Sequence, residues 1–129
     1  MINVNYDITG IEGALFSAVK SAANPTVVYP SRRPTSIPNN LDSFIVVRSV
    51  TEVVDKTAFG TNICRIEVYV KSKGGVKDAA TMSSIVKNIF AALPIVADKY
   101  RFTYLSNIPI GLDNTGYDVE AININALIK

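Results

Sequence analysis

The chain has 129 residues, 48% of them hydrophobic and 19% charged, with a formal net charge of +2, which suits one domain whose core needs no disulfide or metal. Histidine is absent, which removes the usual general base near neutral pH, the commonest metal ligand and every His-dependent triad, and a lone cysteine, Cys64, allows neither a disulfide within the chain nor a Cys-based zinc site. The small, scattered charge gives no strong electrostatic case for nucleic acid, and no apolar run approaches the roughly 18 residues of a membrane span.

Met1 to Asp7 has no basic cluster ahead of an apolar stretch and does not read as a signal peptide, so synthesis in the cytoplasm is expected. Thr9 and Glu12 have the T-x-x-E spacing of a capping box, and Ile8, Ile11, Leu15, Ala18, Val19 and Ala22 recur at offsets of three and four. That spacing predicts an amphipathic helix over 9–22, stopped by Asn24-Pro25. A short β-like run, Thr26 to Tyr29, leads into a loop from Pro30 to Asn40 that carries Pro30, Pro34 and Pro38 and no apolar period. Loops of that length in compact domains are uncommon and tend to bind something.

Residues 44–54 are rich in β-branched types and read as a long strand, followed by a turn over 55–62. From 63 to 71, Cys64, Ile66, Val68 and Val70 alternate with Arg65, Glu67, Tyr69 and Lys71, which predicts a half-solvated antiparallel strand. Gly74-Gly75 breaks it, Asp78 suits an N-cap, and Met82, Ile85, Val86, Ile89 and Leu93 predict a second helix over 78–93, ending before Pro94. Tyr100, Phe102 and Tyr104 share one face of a fourth strand and are expected in the core, 106–116 reads as a loop, and a final strand runs over 117–127. Its apolar phase shifts between Ala121 and Ile122, which predicts a bulge or an edge transition. The order of elements predicts an α+β fold: a small antiparallel sheet of about four strands, two helices packed on one face, and a long Pro-rich loop.

No reaction centre emerges. Asp113 and Asp118 could pair as acid and base or hold a cation, but Asp113-Asn114-Thr115-Gly116 is ordinary turn chemistry. Cys64 is in phase with Ile66 and Val68 and reads as a buried apolar thiol, and Gly74-Gly75 lacks the pattern of a phosphate loop. Lys71, Lys73 and Lys77 form a basic cluster and Arg32-Arg33 punctuates the long loop; solvated surface and interface are the two readings for these residues. Neither an enzyme nor a cofactor or metal site is expected, and such a chain works by contact.

The ordered set of the N-terminal helix, Val28-Tyr29-Pro30, the loop with Arg32-Arg33-Pro34, the strand at Phe44–Val47, the alternating strand at Ile63–Lys71, the helix at 78–93 and the hairpin Asp113–Tyr117 resembles the phage tail terminator, or tail completion, family over nearly the whole chain. Asn123 and Asn125 stand where that family more often has apolar or aromatic residues. The resemblance implies one tail-terminator-like domain over 1–129 and a structural virion protein made in the cytoplasm of a bacterial host. It implies a ring, a hexamer, at the head-proximal end of the tail tube that ends tail assembly and joins tail to head. The implied partners are other copies of the chain, the tail tube protein and the head-tail connector or neck protein, with no membrane and no specific nucleic acid.

A head-to-tail ring needs two different complementary patches on each subunit. Arg65, Lys71, Lys73 and Lys77 are expected to approach Asp113, Asp118 and Glu120 across the subunit boundary, while Arg32, Arg33, Lys56 and Phe59, on the loop 30–40 and the turn 55–62, are expected to project toward the tube or connector. The alternatives are another neck or tail-tube ring protein, or a small α+β module binding a peptide or nucleic acid, with Tyr69, Tyr100, Phe102 and Tyr104 as its stacking surface.

Overall fold

A computed structural model describes residues 8–38, 41–49, 54–55 and 60–128. Helix α1 (Ile8–Ala23) is followed by strands β1 (Val27–Pro30), β2 (Ser43–Ser49), β3 (Val54–Asp55) and β4 (Gly60–Lys71), helix α2 (Ala79–Ala92), and strands β5 (Ile95–Ala97), β6 (Tyr100–Leu112) and β7 (Tyr117–Ile128). The strands form one curled sheet in the order β1-β2-β4-β7-β6-β5, with β3 set beside the start of β4. The sheet is therefore larger than the four strands expected, and it is mixed: β1 runs parallel to β2, and the other pairs are antiparallel.

Both helices lie on one face, as the order of elements implies. Ile11, Leu15 and Val19 of α1 and Met82, Ile85, Val86 and Ile89 of α2 bury against Ile45, Val47, Ile66, Val68, Phe102, Ile122, Ile124 and Ile128. Asp78 caps α2 by accepting from the Thr81 N–H at 3.3 Å and the Thr81 hydroxyl at 2.7 Å, which satisfies donors that a helix start leaves open. Helix α1 starts at Ile8, so Thr9 lies within it and not ahead of it, where a cap would stand. Glu12 instead accepts from the Ser49 backbone N–H at 2.9 Å and from the Ser31 hydroxyl, tying α1 to the ends of β2 and β1.

The second face carries its own small core. Phe44, Val46 and Tyr117 are buried there with Tyr29, Ile37, Leu41 and Tyr69 packed around them. Phe44 stacks on Tyr69 at 4.4 Å and meets Tyr117 edge-on at 5.1 Å. This corrects the half-solvated reading of β4: Glu67 is 7% exposed and ion-paired with Arg48 at 2.7 Å, and Tyr69 is half-buried.

The largest departure is in β6. Residues 106–112, expected as loop, continue the strand, so β6 and β7 make a long hairpin closed by the turn at 113–116. The register slips between Tyr104 and Ser106 and again between Pro109 and Gly111, which places the irregularities in β6. Strand β7, where a bulge was expected, pairs with β4 without a break from Tyr117 to Ile128. Its change of apolar phase is a change of buried face. Tyr117, Val119 and Ala121 point to the aromatic side, whereas Ile122, Ile124, Ala126 and Ile128 point to the helices.

Candidate assembly surfaces

The long hairpin leaves one strand edge uncovered. Strand β5 pairs only with Tyr100, Arg101 and Phe102 of β6, so from Thr103 to Leu112 the outer edge of β6 has no partner strand among the described residues. That stretch contains no charged residue. It exposes Tyr104, Leu105, Ile108, Ile110 and Leu112, with Leu112 at 64%. Proteins usually blunt such an edge with charges, prolines or bulges. Here Pro109 and the two register slips are present, and no charge is.

Where β5 stops, an apolar groove of about 550 Å³ opens, lined by Phe90, Leu93, Pro94, Arg101, Thr103 and Tyr104. Phe90 of α2 meets Tyr104 edge-on at 5.3 Å. Tyr104 was expected in the core with Tyr100 and Phe102; those two are buried, whereas Tyr104 packs against Phe90 at the wall of the open groove and is 48% exposed. The stacking surface proposed for a nucleic-acid module is thus dispersed: Tyr69 stacks on Phe44, Tyr100 and Phe102 are buried, and Tyr104 alone of the four is open.

A second feature is built on Arg33. Its guanidinium donates to Asp113 Oδ2 at 2.7 Å and Thr115 Oγ1 at 2.8 Å, and lies 5.5 to 5.6 Å from the ring centroids of Phe44, Tyr69 and Tyr117. Ile37 packs on the same aromatic cluster. The Pro-rich loop therefore folds back on the sheet and does not project, because one cation and one apolar side chain pin it. Arg32 remains exposed. Lys56 and Phe59 lie outside the described residues, and Gly60–Asn62, expected in the turn, belong to β4.

Asp113 closes the hairpin as turn chemistry requires. Its Oδ1 accepts from the N–H groups of Thr115 and Tyr117, both at 2.9 Å, and Gly116 takes φ 91°, which only glycine adopts without strain. Burial pushes the carboxyl's pKa up, but these hydrogen bonds and Arg33 outweigh it and hold the group below its usual range. A depressed folded pKa contributes stability that is full above about pH 4, the unfolded value, and is lost as pH falls through the folded one. Asp113→Asn is expected to flatten that acid limb, measured as the urea midpoint from pH 5 to pH 2; an unchanged limb would contradict the assignment.

The charged candidates cluster within one subunit. Strands β4 and β7 are neighbours, so Lys71 pairs in register with Tyr117, and Asp118 with Val70. Lys73 bridges to Asp78 at 3.4 Å, and Lys77 and Glu120 line one cleft beside α2. Arg65 is taken up elsewhere: its Nε donates to Asn123 Oδ1 at 3.0 Å, and Asn123 Nδ2 donates to Ser106 Oγ at 3.1 Å. This polar row across β4, β7 and β6 satisfies the buried Asn123. Asp118 is 9% exposed, and its Oδ2 has no hydrogen-bond partner among the described residues. Asp113 and Asp118 do not form a pair, since Asp113 is bound into the turn on the aromatic side and Asp118 alternates to the helix side. Cys64 lies in the core, where burial and the Glu12 charge push its thiol up to about 12. Among the described residues no three carboxylate or thiol groups could hold a metal ion, and no helix is long and apolar enough to cross a membrane.

Sequence reasoning missed the β6 edge, whose only signal was the uncharged run from Thr103 to Leu112. No protein-family model matches the chain, and no curated protein does. Among solved structures, it is similar to a chain in the virion of a native gene transfer agent particle, with a TM-score of 0.60 and 12% identity. The match covers 96% of this chain and 98% of that one, so the likeness in fold runs over nearly the full length of both.

Proposed function

We propose that the chain is a structural subunit of a phage-like particle, forming a ring at the head-proximal end of the tail tube that ends tail growth and joins tail to head. The observation that carries the reading is the end-to-end likeness of its fold to a chain of a virion. The uncharged apolar edge of β6 adds to it, because such an edge suits a chain whose working state is an assembly. The resemblance to tail terminators supplies the level along the axis and the hexamer. In this reading the exposed Lys71, Lys73 and Arg32 set register against neighbouring rings and the tube, and rim charges of this kind govern encounter and specificity more than affinity. The chain acts by contact and takes no cofactor.

A cap that ends polymerisation has a specific signature when removed. In cells that make the particle, deleting the gene is expected to give tail tubes of unregulated length that do not join heads, seen by electron microscopy. Tubes of normal length, attached to heads, would overturn the terminator role.

A further inference from the structure

Two arginines stand directly opposite each other on neighbouring strands: Arg48 of β2 pairs in register with Arg65 of β4. Residues opposed in this way point to the same side of a sheet, and like charges so placed repel. We propose that this pair is an anion site, which takes one carboxylate group from an acidic side chain of a neighbouring protein in the particle. It goes beyond the ring reading, since it lies on a face of the sheet and not on the β6 edge, and only the source of the carboxylate rests on the particle reading.

Three observations carry it. First, the charges do not balance. Among the described residues the one carboxylate bonded to the pair is Glu67, which accepts from Arg48 Nη2 at 2.7 Å and from the Tyr69 hydroxyl at 3.3 Å. Arg65 has no ion pair among those residues; its Nε donates to Asn123, and its two Nη groups are unbonded. Two guanidinium groups against one carboxylate leave one positive charge over. Second, Arg48 Nε is buried without a hydrogen-bond partner among the described residues, so its donor set is incomplete in the lone subunit. Third, the surroundings are polar and open to solvent. Asn123 and Ser106 continue the row on β7 and β6, Asn125 pairs with Thr103 beside them, and Arg48 and Arg65 are both half-buried. The helices cover the other face, and the aromatic core on this one gathers around Phe44, at the start of β2, whereas Arg48 lies near its end. Guanidinium forks bind carboxylates through two parallel bonds, and one carboxylate matches the single excess charge. A nucleic-acid backbone would need a run of unpaired cations, which this row lacks.

The test is a titration with sodium acetate against sodium chloride at equal ionic strength, followed by NMR at the Arg65 Nε–H and the Asn123 side-chain amide. Saturable shifts with acetate, and only a drift with chloride, are expected. Arg65→Gln, which keeps a donor for Asn123, is expected to weaken acetate binding at least about tenfold, read at the Asn123 amide. In assembled particles Arg65 is expected to be protected from phenylglyoxal, an arginine reagent that modifies it in the lone subunit. Acetate shifts that track chloride, or an acetate response that survives in Arg65→Gln, would overturn the site and leave the ring reading standing. Inorganic phosphate binding more than about tenfold tighter than acetate would overturn the carboxylate as the group recognised. Equal modification of Arg65 in particle and subunit would overturn the neighbouring protein as its source.

Discussion

Phe44→Ala is expected to remove about 3–5 kcal/mol of stability, against a total of about 5–15 kcal/mol for a domain of ordinary stability. Phe44 is fully buried, yet it faces away from both helices. It stacks on Tyr69, meets Tyr29 and Tyr117 edge-on at 5.8 and 5.1 Å, and lies beneath the Arg33 guanidinium. Removing it opens a cavity between three rings and takes away one of the aromatic faces beside Arg33, so the cost combines lost burial with lost aromatic contacts. The loop at 31–38 should loosen with it, read as faster amide exchange at Ser31, whose N–H bonds the Val47 carbonyl at 2.8 Å. Urea unfolding gives the energy. A loss under about 1 kcal/mol would show the aromatic face to be a surface patch and not a second core.

Ile108→Asp is expected to do the reverse, sparing the subunit and disabling the assembly. Ile108 is 48% exposed and sits opposite Ala121 on the free-edged half of the hairpin, so the monomer should change by no more than about 0.5 kcal/mol. In an interface the same position would bury a carboxylate against apolar neighbours without a partner cation. Losing the burial of one such side chain alone is worth about 1.5–3 kcal/mol, or roughly ten- to a hundredfold in association at each junction. Because a closed ring repeats the junction, the loss recurs around it. Native mass spectrometry with unchanged circular dichroism checks the outcome. Wild-type assembly by the variant would show that the ring closes through another surface.

The two helices and the alternation of β4 were legible because each buries one regular face, and the physics that buries it writes a period of 3.6 or 2 into the sequence. Cys64, Ile66, Val68 and Val70 all lie in the core, and Asp78 caps α2. The far half of β6 was illegible for the opposite reason. It lies along a free edge, and the register slips beside Leu105 and Ile110 reset the alternation twice, while Pro109 and Gly111 read as turn residues. The second core escaped because its members are scattered: Tyr29 and Phe44 come from strands β1 and β2, Tyr69 from β4 and Tyr117 from β7. No local window contains them. Arg33 was singled out as a loop cation, but its tie to Asp113 spans 80 positions, a distance over which spacing carries no signal. The parallel pairing of β1 with β2 is likewise a product of the intervening loop folding back onto the sheet.

We propose above that this chain works as a closed ring of identical copies. Its most direct test is the solution mass by light scattering across a series of protein and salt concentrations. With the apolar β6 edge proposed as the junction, the expected result is one discrete species, a hexamer, that persists at high salt, since screening weakens only a charged rim. A monomer at every concentration and salt would contradict it.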